Sequence, residues 1–184
     1  MALKTFTTAD GSANQALVTN GSGVLSFAAV GASAGQVIQV LSATDSTFRQ
    51  ITSQNVYVTG SNTLSVAITP SAAANKIFII CNVQLRAGIV TSGGVPVRCT
   101  IFRDATNLSG GQTASLGYMQ SSDDADIEMT TITILDSPNT TSSVTYQFYF
   151  NNGGSGGGNT ASLNPTDGNS GVPTSRITCM EIKG

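Results

Sequence analysis

Apolar and polar residues alternate along most of the chain, and this pattern starts at about residue 53. Apolar residues recur there at every second position in short runs, which are separated by Gly, Asn, Ser and Pro. A period of two places successive side chains on opposite faces of an extended backbone, so it predicts β-strands rather than helices. The clearest predicted strands are 64–69, 97–102, 127–135, 144–150 and 176–182.

Residues 77–81 differ from the other runs because every position is apolar (Ile-Phe-Ile-Ile-Cys). A strand that is apolar on both faces is typical of the centre of a sheet, so we predict a central strand here. The pattern as a whole gives roughly eight or nine strands, with no convincing helix, over about 130 residues. This predicts an all-β fold, an antiparallel sandwich of the jelly-roll type.

Residues 11–52 have a different character, with few large apolar side chains and turn signals at Asp10-Gly11 and Asn20-Gly21. A segment this short buries too little apolar surface to offset the entropy of ordering it. Either the segment is disordered, or other copies of the chain complete its core, and the second is what we expect. Around a three-fold axis, six residues would meet their own copies, namely Leu17, Leu25, Phe27, Ile38, Leu41 and Phe48.

The same segment contains a weak tandem repeat, which favours an extended stem over a globule. Three pairs of similar residues are each separated by an interval of 21 residues: Gln15 and Gln36, Leu17 and Ile38, Phe27 and Phe48.

Two motifs resemble those of a known class of proteins. Residues 10–27 carry Asp-Gly and then Gln-x-Leu-x-Thr-Asn-Gly-Ser-Gly-x-Leu-Ser-Phe, which resembles the repeat of bacteriophage tail-fibre and other virion fibre proteins. Residues 175–184 resemble the closing strand of the tumour-necrosis-factor-like or C1q-like trimeric knobs of phage fibres, although Cys179 stands where an aliphatic residue is more usual. The resemblance implies a jelly-roll knob, three copies of which pack around an axis.

Pattern and resemblance together predict three parts. Residues 1–10 are expected to be a peptide that attaches the protein to other virion proteins, with Leu3 and Phe6 as its apolar contacts. Residues 11–52 are expected to form a stem that contains the repeat, and residues 53–184 a jelly-roll knob.

Composition excludes several classes of partner. Charged residues make up 10% of the chain, and 8 Lys and Arg stand against 10 Asp and Glu, so no basic surface is available to neutralise a nucleic acid. No apolar run approaches the roughly 20 residues that span a bilayer. The first residues lack the apolar core of a signal peptide. We expect a virion protein that is made in the host cytoplasm.

Few residues offer catalytic chemistry. The chain has no histidine, which removes the Ser-His-Asp and Cys-His arrangements. Asp123, Asp124, Asp126 and Glu128 cluster in the sequence and leave open a solvated acidic turn, a weak Ca²⁺ or Mg²⁺ site or a carboxylate pair for glycoside hydrolysis. We predict a protein without cofactor or enzymatic activity.

Three functions fit these observations. The first is a short homotrimeric fibre of a tailed phage, whose knob contacts host surface glycan. The second is a capsid decoration or head-fibre protein, which the sequence does not separate from the first. The third is a carbohydrate-binding module or polysaccharide hydrolase.

Overall fold

A computed structural model of the chain separates it into two compact units, Met1–Ser33 and Ala34–Gly184. The predicted attachment peptide, with Leu3 and Phe6, lies outside the described residues. The structure describes residues 12, 15–19, 21–22, 24–29, 31–88, 95–121, 126–154, 158–166 and 171–184.

The smaller unit contains a β-hairpin of two antiparallel strands, β1 (Gln15–Thr19) and β2 (Leu25–Ala29). Gly21 in the connecting turn has a φ of 80°, which a glycine adopts without steric cost. The register places Leu17 directly opposite Phe27. Both side chains are exposed, because two strands alone enclose no core.

The larger unit consists of two antiparallel sheets. Sheet 1 comprises β3 (Val37–Asp45), β4 (Arg49–Ile51), β7 (Lys76–Gly88), β11 (Asp126–Asp136), β13 (Thr160–Leu163) and β14 (Ser175–Ile182). Sheet 2 comprises β5 (Val58–Thr59), β6 (Ser65–Ile68), β8 (Val95–Arg103), β9 (Thr106–Asn107), β10 (Gly117–Ser121) and β12 (Val144–Asn152).

The strand order identifies the fold. Eight principal strands follow one another along the chain as β3, β6, β7, β8, β10, β11, β12 and β14, and we number them one to eight in that order. Sheet 1 then reads 1-8-3-6 and sheet 2 reads 2-7-4-5. The first and last principal strands are neighbours in sheet 1, and the second and seventh are neighbours in sheet 2. This is the connectivity of a jelly roll. The predicted all-β antiparallel sandwich is confirmed, and the described residues contain no helix, hence none that could span a membrane.

Strand β7 lies in the middle of sheet 1, as its sequence predicts. It pairs with β11 on one side and with β14 and β13 on the other. Its odd-numbered residues from Ile77 to Ala87 are completely buried between the sheets, and its even-numbered residues point to the opposite, outer face. Phe78 and Ile80 on that outer face are half-buried.

Aromatic side chains of β12 fill the space between the sheets, since Tyr146, Phe148 and Phe150 are all fully buried. Gly60 lies against them, and a Cβ at this position would stand 2.5 Å from a ring carbon of Phe148. Only a residue without a side chain fits there, so the chain comes close to the core before β6 begins.

An ion pair joins the two sheets at one margin of the sandwich. The Nη1 atom of Arg103 on β8 lies 2.7 Å from a carboxylate oxygen of Asp136 on β11. The hydroxyl of Tyr146 donates to the same oxygen at 2.6 Å. Both charged side chains are largely shielded from solvent, so the carboxylate is satisfied by two donors from the opposite sheet.

The larger unit begins at Ala34, whereas the sequence placed the start of the knob at residue 53. The second half of the predicted stem contributes β3, which pairs with β14 over eight positions, and β4, which pairs with β13. Without β3, the backbone N–H and C=O groups along one side of β14 would lack partners, and pairing satisfies them.

Two buried carboxylates hold β3 in place. Glu181 on β14 is fully buried and accepts hydrogen bonds from Gln39 of β3, from Ser71 and from Asn75. Asp45, the last residue of β3, accepts from Thr63 at 2.8 Å. Burial by itself would raise the pKa of both carboxyls, but the hydrogen bonds outweigh it and hold each pKa below its ordinary value of 4.5 for Glu181 and 3.8 for Asp45.

We expect these carboxylates to make the larger unit sensitive to acid. A carboxyl group whose pKa is lower in the folded than in the unfolded chain stabilises the fold at pH values above its unfolded pKa. This stabilisation is lost as the pH falls through the folded-state pKa. Denaturant unfolding at about pH 7 and about pH 3 measures the difference. Glu181→Gln should have a lower free energy of unfolding at neutral pH and a smaller further loss in acid.

The matched control is Asp104→Asn, because Asp104 is exposed in the turn after β8 and the amide oxygen of Asn can still accept the hydrogen bond from the backbone N–H of Thr145. It should follow the wild-type profile. If acid lowers the free energy of unfolding by the same amount in Glu181→Gln and in the wild type, Glu181 contributes nothing to the pH dependence.

Candidate functional site

The outer face of sheet 1 carries a row of apolar side chains that crosses all four principal strands of the sheet. Val40 of β3 lies opposite Met180 of β14, Met180 opposite Phe78 of β7, and Phe78 opposite Leu135 of β11. We call these four residues the apolar row. Val40 is 54% exposed and Leu135 52% exposed, so solvent reaches both ends of the row.

Neighbouring positions widen this surface. Ile80 and Ile182 are half-buried and lie two residues along their strands from Phe78 and Met180, on the same face. Since strands are spaced about 4.8 Å apart, the row itself is about 14 Å long. An apolar surface that crosses several strands and faces solvent is characteristic of a protein interaction site.

The charges on this face all have the same sign. Lys76, Arg86 and Arg176 occupy outward positions of β7 and β14, and no described outward position of sheet 1 is acidic. None of the three forms an ion pair with any described residue. The chain as a whole has a net charge of −2, so this face is cationic on an acidic protein.

Arg86 is the most enclosed of these cations. It lies between Ile127 of β11 and Ser162 of β13 in the register of the sheet. Its Nε atom is buried and has no hydrogen-bond partner among the described residues. A charged donor that is left unsatisfied in this way is costly.

Strand β11 forms an edge of sheet 1 in the described part of the chain, where it pairs with β7 alone. The pairing runs without a bulge from Asp126 to Asp136. Met129 is 65% exposed and Ile127 is also exposed on the outer face. A long regular edge without a bulge leaves backbone groups open to pairing, and Asp126 and Glu128 add negative charge at its beginning. This margin is therefore suited to contact with a cationic surface.

The six residues predicted to line a stem fall into two groups. Leu17, Leu25 and Phe27 lie on the hairpin of the smaller unit, all exposed and all on one face in the register of β1 and β2. The hairpin therefore presents an apolar face that its own unit leaves open. The other three, Ile38, Leu41 and Phe48, belong to the larger unit and are exposed as well.

The last three residues lie in different local structures. Ile38 lies where the pairing of β3 with β14 shifts register, since Gln39 pairs with Glu181 and Val37 with Ile182. Leu41 lies further along β3, opposite Cys179, and Phe48 lies in the turn between β3 and β4. A role for any of the six in a trimer stays a prediction.

The two copies of the sequence repeat adopt different structures. The first copy forms the hairpin of β1 and β2, whereas the second continues as the single long strand β3 and the turn that follows it. Similar residues diverge here because β3 has a long partner strand in β14, and the hairpin strands pair with each other.

The acidic cluster is only partly described. Asp123 and Asp124 lie outside the described residues, while Asp126 and Glu128 are exposed on β11. Among the described residues, no three His, Cys, Asp or Glu side chains group closely enough to hold a metal ion.

The three cysteines face the interior. Cys81, Cys99 and Cys179 are all fully buried free thiols. Burial raises the pKa of Cys99 and of Cys179 to about 12, and that of Cys81 well above its ordinary value. Such thiols stay protonated at neutral pH and act as small apolar side chains.

The strand order defines the larger unit as a jelly roll, and its sheet 1 carries an apolar row whose two ends are exposed to solvent. No protein family model matches the sequence, and no curated protein is similar to it. Among solved structures, the chain is similar to the VP2 subviral particle of infectious bursal disease virus, with 13% identity over 91% of this chain and 42% of that chain and a TM-score of 0.39.

A second similar structure is that of the Gx strain of the same virus, with 14% identity over 89% of this chain and 41% of that chain and a TM-score of 0.35. The chain therefore spans about two fifths of the length of these solved proteins. The fold assignment given above rests on the strand order.

Proposed function

We propose that the protein is a non-enzymatic structural component of a tailed-phage virion, a homotrimeric short fibre whose larger unit is a knob that contacts the host surface. The observation that carries this proposal is the uncovered apolar row on the outer face of sheet 1. The hairpin supports it, because the exposed face of Leu17, Leu25 and Phe27 also needs a partner. The fibre-like motifs of the sequence point to the same class.

A second copy of the chain is a suitable partner for this face. Lys76, Arg86 and Arg176 make the face cationic, so the remainder of the chain is more acidic than the whole. A neighbouring copy offers acidic side chains such as Asp126 and Glu128, which are exposed on the margin at β11. A contact between two different surfaces of identical chains closes into a ring when the rotation permits, and three copies is the number that the resemblance implies.

A trimer has three identical host-binding surfaces on one rigid body. Weak sites that engage together gain effective concentration, so the assembly binds a host surface more tightly than one chain does. Glycan is the partner that we favour. The absence of histidine removes the Ser-His-Asp and Cys-His nucleophile arrangements.

Val40→Glu tests the assembly. The substitution places a charge at an exposed end of the apolar row, where it does not disturb the core of a single chain. We expect the wild type to have about three times the mass of one 18.8 kDa chain by light scattering. The variant should dissociate at protein concentrations where the wild type does not.

The matched control is Val56→Glu, because Val56 is 53% exposed and precedes β5 of sheet 2. This variant should assemble as the wild type does. An unchanged mass for Val40→Glu, with its fold intact by circular dichroism, would exclude the apolar row from the contact.

The hairpin yields a separate test. Loss of a buried aromatic side chain typically costs about 3–5 kcal/mol, so Phe27→Ser should weaken association if copies of the hairpin enclose Phe27. The larger unit should unfold at the wild-type denaturant concentration, since Phe27 belongs to the other compact unit. Dissociation no easier than in the wild type would mean that Phe27 does not lie at the axis.

A capsid decoration or head-fibre protein is the second candidate, because the same uncovered face would serve a trimer that stands on the shell. Immunogold labelling of intact particles with an antibody to the larger unit separates the two. The proposed fibre predicts gold at the tail, and gold distributed over the head would establish decoration instead.

A further inference from the structure

Sheet 1 is four strands wide and has two open edges at its opposite margins. Strand β11 forms one edge, and β3 and β4 together form the other, beside β14 and β13. Among the described residues, β11 pairs with β7 alone, β3 with β14 alone and β4 with β13 alone. Both edges therefore leave backbone groups and side chains open to contact.

The register of the sheet shows which residues of the two edges lie at the same level along the strands. Val40 on β3 and Leu135 on β11 share one level, because they are the two ends of the apolar row. Residues with a hydroxyl group share the next two outward-facing levels: Ser42 with Thr133, and Thr44 with Thr131. Apolar side chains thus lie level with apolar ones, and polar side chains with polar ones.

Opposite charges share a further level. Arg49 on β4 and Glu128 on β11 are level with each other through Leu163 and Leu85. Arg49 is half-buried, Glu128 is exposed, and neither forms an ion pair with any described residue. Within one copy, three strand spacings of about 4.8 Å separate the two residues by about 14 Å, which is too far for an ion pair.

Large apolar side chains adjoin these charges on both edges. Phe48 directly precedes Arg49 and is 50% exposed, and Met129 directly follows Glu128 and is 65% exposed. Strands β4 and β11 run in opposite directions, since each step from β4 through β13 and β7 to β11 is antiparallel. Phe48 and Met129 are therefore displaced in the same direction along the sheet and come to similar levels. A thioether and an aromatic ring make a favourable contact.

We propose that β11 of one copy adjoins β3 and β4 of the next copy in the ring, so that residues at the same level meet. A rotation about an axis parallel to the strands carries each residue around the axis without moving it along the strands. Met129 then packs on Phe48, and Glu128 pairs with Arg49. The two edges are different surfaces, so each copy contacts one neighbour through each edge, as a closed ring requires. This inference rests on the proposed trimer and names the contact that joins its copies.

The same alignment joins the exposed ends of the apolar row. Leu135 of one copy meets Val40 of the next, and both side chains lose contact with water. The adjoining strands β11 and β3 run in opposite directions, because three antiparallel pairings connect them within one copy. Their open backbone groups are thus oriented as in an antiparallel sheet.

Disulfide cross-linking tests the register. Phe48→Cys and Met129→Cys, combined in one chain, place thiols at exposed positions of both edges, and oxidation by diamide should give covalent dimers and trimers on a non-reducing gel. The native cysteines are buried. The matched control combines Phe48→Cys with Leu135→Cys, six residues beyond Met129. It should give no covalent oligomer, because about 20 Å along β11 exceeds the reach of a disulfide.

Charge reversal tests the same contact in solution. Arg49→Glu and Glu128→Arg should each raise the protein concentration at which the trimer dissociates by about tenfold, because three ion pairs are replaced by like charges. Together in one chain they should restore assembly. The matched control combines Glu128→Arg with Arg176→Glu. Arg176 is level with Thr131, so this combination should not restore assembly.

Absent cross-linking by the first cysteine pair, equal cross-linking by the control pair, or no rescue by the double charge reversal would each overturn the inference. If a charge variant proves unfolded by circular dichroism, the two cysteine pairs decide the question. Light scattering on the wild type separates this contact from the proposed assembly. A wild-type monomer contradicts the trimer itself, whereas an intact trimer that fails the cross-linking test overturns this contact alone.

Discussion

Sheet 1 has apolar side chains on both of its faces, and a single copy of the larger unit can bury only one of these two faces. The inward face meets sheet 2 and forms the core, in which alternate residues of β7 are completely enclosed. The outward face holds the apolar row, whose ends at Val40 and Leu135 are more than half exposed. The hydrophobic effect is proportional to apolar area removed from water and does not depend on direction. The same property that builds the core therefore favours a second, intermolecular contact.

The low charge content of the chain makes association through that outward face more favourable. On most proteins, charged side chains surround exposed apolar groups and limit association. Here 10% of residues are charged, and those on the outer face of sheet 1 are all cations. Like charges on one face oppose a symmetrical contact of that face with itself, and they favour a contact with a more acidic surface. The charge pattern thus restricts which pairing of copies is favourable.

Much of the fold could be predicted from the sequence. The period of two identified β6, β8, β11, β12 and β14, because alternate residues of each strand point to the interior. The continuous apolar run of 77–81 correctly predicted a central strand. What packs on the outer face of this strand was not predictable. An apolar residue pattern does not say whether the side chains that pack against it belong to the same chain or to another.

Other features depend on residues that are distant in sequence. Glu181 lies in an apolar strand and is tolerated there because the turn at Ser71 and Asn75 supplies neutral donors. Strand β3 was missed as part of the sandwich because its similarity to the hairpin repeat suggested a stem. The apolar row gave no signal, since its residues are far apart in the chain and become neighbours through the pairing of β3, β14, β7 and β11.

Chain connectivity links the two surfaces that carry the proposed assembly. The hairpin ends at Ala29, and β3 begins at Val37, so a short connection leads from one to the other. Strand β3 contributes Val40 to the apolar row. Each hairpin is tethered to its larger unit. Association of the larger units through that row would therefore raise the effective concentration of the hairpins and favour their contact with one another. In the proposed trimer, a hairpin that is too small to be stable alone would be ordered by the association of the larger units.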